Sequence, residues 1–256
     1  MFFSYYSNLE YHILIFLCIC WFFLIVQIIY NIYFFRKLIV FKEHKGSNKS
    51  GISVIICAKN EYDNLKKNLK TFLTQDFINY EVIVVNDQSN DNTKDLLNEY
   101  EKTFFRLKVV NIDENVNHVI GKKFALTLGI KSAKYENLLL TDADCYVESN
   151  KWISSMASNF NKYDVVLGYG AYQKEKGLLN KFIRFDTYII AMQYFSYALK
   201  SLTYMGVGRN LAYKKSIFFK NKGFANHLHV SSGDDDLFIR EVSKKYKVGI
   251  ELSEKS

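Results

Sequence analysis

The first part of the chain is one long apolar run. Residues 13–30 read ILIFLCICWFFLIVQIIY, with no charged side chain and with Gln27 as the one strongly polar position. Extended to residues 11–35, the run is long enough to cross a hydrocarbon core of about 30 Å at about 1.5 Å per residue. A cleaved signal peptide has a basic start and a small-residue cleavage site, whereas here Glu10 precedes the run and Tyr and Phe follow it. The pattern predicts an uncleaved single membrane helix.

Basic residues follow this run closely. Five Lys or Arg side chains stand at positions 36, 37, 42, 45 and 49. Because basic flanks stay on the cytoplasmic side of a membrane, this bias predicts that the rest of the chain lies at the cytoplasmic face of the bilayer. We therefore expect a membrane anchor over 1–36, a basic linker over 37–50 and a soluble domain over 51–256.

The soluble part alternates between two patterns. Continuous apolar runs predict buried parallel strands over 52–58, 81–87, 107–113 and 137–144. Apolar residues at helical spacing predict helices between these strands, at Leu65 to Leu73, 92–100 and 122–133. Strands that alternate with helices are typical of the α/β class, with a mostly parallel sheet flanked by helices and right-handed crossovers.

Residues 178–204 break this alternation with an aromatic-rich segment that has few charges. Two interpretations stay open for it. One is a core helix of the second half of the domain. The other is a helix that faces the bilayer or a lipid-linked acceptor.

Composition narrows the functional classes. The chain has 256 residues, 49% of them hydrophobic and 23% charged, which excludes a disordered protein. A net charge of +8 favours an anionic ligand or surface. The four cysteines lack zinc or disulfide spacing and lie in an apolar run or at strand-like positions, so we expect reduced, buried thiols. No Walker A, GxGxxG, HExxH or GxSxG pattern occurs, which leaves NTPase, dinucleotide and hydrolase functions without support.

Acidic residues stand where three of the predicted elements begin or end. Asp87 ends the second strand, Asp142 and Asp144 end the fourth, and a triplet at 234–236 precedes a helical pattern. In open α/β sheets, ligands bind beyond the carboxyl ends of the strands. Asp142 and Asp144 are two apart and would share one face of an extended strand, where paired carboxylates suit Mg²⁺ or Mn²⁺ held through substrate phosphates. An acidic triplet alone can also be a helix N-terminus.

Six segments in order resemble the motif series of the family 2 glycosyltransferases. They are ISVIICAKNE, VIVVNDQSND, GKKFALTLGI, LLLTDAD, GVGRNLAY and SGDDDLFI, and the resemblance runs from about residue 51 to 245. It implies the GT-A fold, a nucleotide-sugar donor that is UDP-linked, inversion at the anomeric carbon and a divalent cation, Mg²⁺ or Mn²⁺.

The resemblance also implies roles for the residues on the donor side. Asp142 and Asp144 would hold the metal on the diphosphate, and Arg209 would contact phosphate or acceptor. The residues that would bind the nucleoside, ribose or phosphate are Ala58, Asn60, Glu61, Asp87 and Lys122. His227 and His229 are weaker candidates for a metal ligand.

The last motif implies the catalytic base. The family pattern is Glu-Asp-x-x-Leu, and Gly233 to Leu237 align with it, so Asp234 is the predicted base and Asp235 the runner-up. Gly233 in place of Glu leaves the choice between the two open. A carboxylate is needed because a sugar hydroxyl is a poor nucleophile until its proton is accepted.

We therefore expect a membrane-bound glycosyltransferase that acts on a glycan or lipid-linked acceptor, with the bilayer as a partner and no nucleic acid. One alternative is a catalytically inactive nucleotide-sugar-binding or scaffold subunit. Another is a nucleotidyltransferase, although a glycine-rich basic loop would then follow the first strand, where CAKNE stands. Relatives continue beyond the last motif with further membrane spans, so a fragment is also an open interpretation.

Overall fold

The computed structural model describes residues 2–42, 46, 48–113, 122–225, 230 and 233–253. The side chains of residues 2–10 and of Asp234 lie outside this description. The chain forms two compact units, one ending at Phe41 and the other beginning at Lys42. All four cysteines are free thiols, as expected, but the expectation that they are buried is wrong. Cys18 and Cys20 lie exposed on the uncovered N-terminal helix, and Cys57 and Cys145, at the end of the first strand and just after the fourth, are only partly buried.

The first unit is dominated by helix α1, Phe2–Ile39. Its stretch Tyr11–Ile39 is long and apolar enough to cross a membrane, by length and composition, and none of that stretch is buried. A helix suits a bilayer because its backbone N–H and C=O groups are paired within the element. Arg36 and Lys37 stand in its last turn.

The second unit is built on a seven-stranded sheet in the order β3-β2-β1-β4-β6-β5-β7. Strands β1 to β4 pair in parallel, β6 is antiparallel to both β4 and β5, and β7 is parallel to β5. The predicted mostly parallel α/β sheet is therefore confirmed. The strands are Ile52–Ala58, Tyr80–Asp87, Leu107–Ile112, Asn137–Asp142, Val165–Leu167, Leu211–Lys214 and Val248–Ile250.

Seven helices accompany the sheet in the described part of this unit. They are α2 Tyr62–Leu73, α3 Thr93–Thr103, α4 Lys123–Ser132, α5 Trp152–Ser158, α6 Leu178–Ala198, α7 Lys215–Lys220 and α8 Asp234–Val242. The first three lie between the parallel strands, as the spacing predicts. One expectation is wrong: β4 stops at Asp142 and does not extend to Asp144, because the backbone turns there and the Cys145 N–H donates to the Asp142 carbonyl at 3.2 Å.

The core lies where the apolar strands β1, β2 and β4 are covered by helices. Strand β1 buries six of its seven residues, as expected for a central strand with neighbours on both sides. On α2, Leu65, Leu69 and Phe72 face the sheet. Phe72 meets Trp152 of α5 edge-to-face with ring centroids 5.6 Å apart. This packing holds the carboxyl ends of the strands in a fixed arrangement.

The two halves of helix α6 differ in burial. Its second half is buried at Ala191, Tyr194, Phe195 and Ala198, so the core-helix interpretation holds there. Its first half is largely exposed, although it carries several large apolar side chains, among them Leu178, Leu179, Phe182 and Phe185. The core-helix interpretation is therefore wrong for the first half.

We predict that Leu139→Ala lowers the free energy of unfolding by about 2–5 kcal/mol, because Leu139 is fully buried between β1 and β6 and its truncation leaves a cavity. Urea denaturation of the full chain in non-ionic detergent, followed by Trp152 fluorescence in a Trp21→Phe background, measures this. Leu179→Ala is the control, since Leu179 is 73% exposed and its loss should change the unfolding free energy little. Equal effects of the two substitutions would contradict this account of the core.

Candidate functional site

Three strand ends meet at one edge of the sheet. In the parallel register, Cys57 of β1 lies opposite Asp142 of β4, and Ala58 lies opposite Asn86 of β2. Asp87 is the next residue of β2. The register therefore places Ala58, Asp87 and Asp142 at the same edge, where ligands bind in open α/β sheets.

The loops after β1 and β2 are tied to each other. Asn60 has a φ of 57°, a left-handed conformation that Asn tolerates better than most residues. Its N–H donates to Ser89 Oγ at 2.9 Å, and its Oδ1 accepts from the Asn90 N–H at 2.7 Å. The Glu61 N–H donates to Thr93 Oγ1 at 3.0 Å. These bonds fix the segment that carries the predicted nucleoside-binding residues beside Asp87.

Lys122 supplies the positive charge of the site. Its Nζ lies 3.0 Å from Asp142 Oδ1. Desolvation alone would lower the pKa of Lys122, but the carboxylates of Asp235 and Asp142 outweigh that effect and raise the pKa. The ammonium therefore stays charged at neutral pH.

Asp142, Asp144 and Cys145 bring their donor atoms within 4.8 Å of one another. The expectation that the two carboxylates share one face of a strand is wrong, since Asp144 lies in the turn after β4; that turn nonetheless brings the two carboxylates together. Carboxylate oxygens are the hard donors that Mg²⁺ and Mn²⁺ prefer, so the pair fits the implied cation. Desolvation, reinforced by Asp142 and Asp144, raises the pKa of the Cys145 thiol to about 11.

The acidic triplet opens helix α8. Gly233, with a φ of 78°, precedes the helix, and Asp234 is its first residue. The carboxylate of Asp235 packs directly on Gly208: a Cβ at Gly208 would lie 2.0 Å from Asp235 Oδ2. Burial raises the pKa of Asp236, and a hydrogen bond donated by the Gly206 N–H opposes that shift. Asp235 and Asp236 therefore contact the segment from Gly206 to Gly208.

Cys57 of β1 lies opposite Asp142 and is affected by the charges of the site, although no sequence motif singles it out. Desolvation raises the pKa of its thiol to about 12, with Lys122 acting against the shift. The carboxylates that reinforce the shift are Asp142, Asp87 and Asp235. The thiol thus responds to charges on β2, β4, α8 and the residue before α4. This agrees with the register that sets Cys57 opposite Asp142 and with the 3.0 Å contact between Lys122 and Asp142.

Arg209 lies apart from that centre, among tyrosines. Its side chain packs on Gly170, where a Cβ would lie 2.6 Å from Arg209 Cδ, and its guanidinium stands 4.9 Å from the centroid of the Tyr172 ring. The neighbouring Asn210 holds the turn in place, since it donates to the Tyr169 carbonyl at 3.0 Å and accepts from Trp152 Nε1 at 3.1 Å. Two further predicted candidates, His227 and His229, lie outside the described residues.

A family model described as glycosyl transferase family 2 matches residues 53–221. The chain belongs to glycosyl transferase family 2. Poly-beta-1,6-N-acetyl-D-glucosamine synthase of Staphylococcus epidermidis is 34% identical over 143 residues, 53% of this chain and 32% of that protein. 4,4'-Diaponeurosporenoate glycosyltransferase of Staphylococcus haemolyticus is 34% identical over 152 residues, 59% of this chain and 37% of that protein. The family 2 chain thus spans about a third of the length of these relatives.

Solved structures share the fold. The mannosyltransferase PcManGT from Pyrobaculum calidifontis, in complex with GDP-Man and Mn²⁺, superposes with a TM-score of 0.67 at 18% identity, over 86% of this chain and 60% of that one. S. aureus TarS 1-349 in complex with UDP-GlcNAc gives a TM-score of 0.56 at 22% identity, over 80% and 57% of the two chains. The predicted GT-A fold is confirmed.

We predict that Gly208→Ala destabilises the domain by about 0.5–1.5 kcal/mol, because the added methyl would collide with the Asp235 carboxylate and force that side chain out of its rotamer. Urea unfolding of a double-mutant cycle measures this, with Asp235→Ala as the second change. The cost of the methyl should largely vanish in the Asp235→Ala background, where the collision partner is gone. An equal cost in both backgrounds would mean that Gly208 and Asp235 do not touch.

Proposed function

We propose that this family 2 domain transfers a sugar from a UDP-linked nucleotide sugar to an acceptor hydroxyl, with inversion at the anomeric carbon. The observation that carries the proposal is the strand register that brings Asp87 and Asp142 to one edge of the sheet, where Lys122 Nζ lies 3.0 Å from Asp142 Oδ1. Carboxylates and one ammonium at the carboxyl edge of an α/β sheet suit a phosphate-bearing donor and the proton transfer that its reaction needs.

The donor would bind across the ends of β1 and β2. Ala58, Asn60 and Glu61 lie on the segment that hydrogen bonds fix beside the loop after β2, and Asp87 ends that strand. We propose that these residues hold the nucleoside and that Lys122 stabilises the diphosphate. The neighbours whose complexes contain GDP-Man and UDP-GlcNAc support a nucleotide sugar.

Asp142 and Asp144 would hold a divalent cation, Mg²⁺ or Mn²⁺. When bound, that cation neutralises the negative charge that develops on the leaving diphosphate. The complex of PcManGT with Mn²⁺ supports the choice of metal. Lys122 supplies a second positive charge at the same edge, since its Nζ lies 3.0 Å from Asp142.

A carboxylate of the triplet would accept the proton of the acceptor hydroxyl. We propose Asp234 as this base. Asp235, whose carboxylate lies against Gly208, is the second candidate. The Cys57 thiol, with a pKa of about 12, stays protonated at neutral pH and is no nucleophile there. Direct attack by the activated hydroxyl, without a covalent enzyme intermediate, gives inversion.

We further propose that α1 anchors the chain in a membrane with the domain on its cytoplasmic face, and that the acceptor is a glycan or is lipid-linked. The length and composition of α1 and the basic residues after it support the anchor and its orientation. Similarity to the poly-beta-1,6-N-acetyl-D-glucosamine synthase of S. epidermidis supports a glycan product. Family membership favours glycosyl transfer over the nucleotidyltransferase alternative.

We predict that UDP-GlcNAc binds the full chain with Mn²⁺, and that EDTA, Asp142→Ala or Asp144→Ala each weakens binding by about tenfold or more, since each removes a charge-assisted contact. Isothermal titration in detergent measures the affinities. Asp76→Ala is the matched control, because Asp76 pairs with Lys151 at the opposite edge of the sheet, shortly before β2. Unchanged binding in both site variants would sink the metal assignment.

We predict that Asp234→Asn lowers kcat by about 10²–10⁴-fold, the usual range for a lost general base, because the amide keeps the shape and cannot take the proton. Donor affinity should change little, since ground-state binding does not use that proton transfer. Asp235→Asn should be milder. Sugar transfer and free-sugar release are measured together. The opposite ranking would assign the base to Asp235, and full activity in both variants would make the triplet a helix cap only.

A further inference from the structure

The first half of α6 exposes an apolar face. Leu178 is 83% exposed, Leu179 73%, Phe182 69% and Phe185 62%. Positions 178, 182 and 185 follow helical spacing, so these side chains form one stripe. An exposed apolar stripe of this kind on a folded domain marks a binding surface, because water penalises it unless a ligand or partner covers it.

Arg184 belongs to the same helix as this stripe, and Arg209 is linked to the start of that helix through Tyr172. The Arg209 guanidinium stands 4.9 Å from the Tyr172 ring centroid, and Asn180 of α6 donates to the carbonyl of the adjacent Gln173 at 3.1 Å. Burial raises the pKa of the Tyr169 phenol, and the guanidinium groups of Arg209 and Arg184 both act against that shift. The two cations come from different segments, and both act electrostatically on this phenol. Within the described part of the chain, neither arginine has a carboxylate partner. Cations without a counterion favour the binding of an anion.

The position of Arg209 is fixed by its packing. Its side chain lies against Gly170, and its guanidinium stacks over Tyr172. Its Nε is buried, and among the described residues it has no hydrogen-bond partner. A buried donor without a partner costs free energy that a bound acceptor group would recover. The guanidinium fork matches the oxygens of a phosphate or a carboxylate.

Arg209 stands next in the chain to a contact with the acidic triplet. It directly follows Gly208, on which the Asp235 carboxylate packs. The charges that act on the Cys57 thiol are those of Lys122, Asp142, Asp87 and Asp235, whereas Arg209 acts on the phenols of Tyr169 and Tyr194. An anion held by Arg209 would thus lie next to the acidic triplet and away from the donor strands.

We propose that Arg184, Arg209 and Tyr172, with the exposed face of α6, bind the acceptor, and that this acceptor is an anionic amphiphile with a phosphate or carboxylate on an apolar chain. The inference rests on the proposed function, since it names the acceptor class of the same site. It replaces the donor-binding role predicted for Arg209. The anion would sit on the two guanidinium groups and the chain along Phe182 and Phe185.

The test uses the full chain in nanodiscs of neutral lipid, with UDP and Mn²⁺ present and with empty nanodiscs as the reference for partitioning. Octyl phosphate, octanoate and inorganic phosphate are titrated calorimetrically. We expect at least one of the two octyl compounds to bind more tightly than inorganic phosphate. Whichever of them binds identifies the head group as phosphate or carboxylate.

Variants then separate the parts of the site. Arg184→Gln and Arg209→Gln should each weaken octyl-compound binding by about tenfold, as expected for one lost charge-assisted contact. Lys102→Gln removes the same charge from an exposed position in the last turn of α3, on another helix, and should have little effect. Phe182→Ser with Phe185→Ser should weaken binding of the octyl compound and leave that of inorganic phosphate unchanged.

Two results would overturn the inference. In the first, Arg209→Gln weakens UDP-GlcNAc binding and leaves the octyl compounds unaffected, which makes Arg209 a donor-phosphate ligand. In the second, neither octyl compound binds more tightly than inorganic phosphate. Failure of the proposed function looks different: the wild-type chain then does not bind UDP-GlcNAc with Mn²⁺, while the arginine-dependent binding of the octyl compound persists.

Discussion

The hydrogen-bonded register between β1 and β4 fixes the position of the charged groups in the candidate site. Cys57 lies opposite Asp142 in that register, and both neighbours of β1 run parallel to it. Their carboxyl ends therefore reach the same edge, and the loops that follow them face one another. A slip of one residue would turn Asp142 to the other face of the sheet and separate it from Lys122. The fully buried side chains of β1 make such a slip costly.

This arrangement gathers like charges at one edge, which opposes folding. Asp142, Asp144 and the triplet would repel one another, and Lys122 is the cation that lies among them in the described part of the chain. The carboxylates of Asp235 and Asp142 stabilise the charged form of Lys122, which is why the pKa of its ammonium group is raised. The excess negative charge fits a site that works with a bound cation. The thiol of Cys57 remains neutral there and adds no further charge.

The sequence predicts the features that depend on local pattern and fails where tertiary contacts decide. Apolar runs of four to eight residues located β1 to β4, and the ordered motifs located Asp142 and the triplet. The apolar pattern does not predict the turn at Ala143, because it does not show where the hydrogen bonds between β4 and its neighbouring strands end. The contact between Gly208 and Asp235 joins residues 27 positions apart, and a sequence offers only the glycine as a signal. The difference in burial between the two halves of α6 also depends on contacts with other elements, which the local pattern does not contain.

The three residues Gly208 to Asn210 connect the acidic triplet, which holds the proposed base, to the proposed acceptor-binding site. Gly208 lacks a Cβ, so the Asp235 carboxylate can lie on its backbone. Arg209 projects to the tyrosines beside α6, and Asn210 fixes the turn through Trp152 and the Tyr169 carbonyl. Because Trp152 also packs on Phe72 of α2, the turn is anchored to the same core that carries the donor strands. The distance between acceptor anion and base is then set by one short turn, which restricts the acceptors whose hydroxyl can reach the triplet.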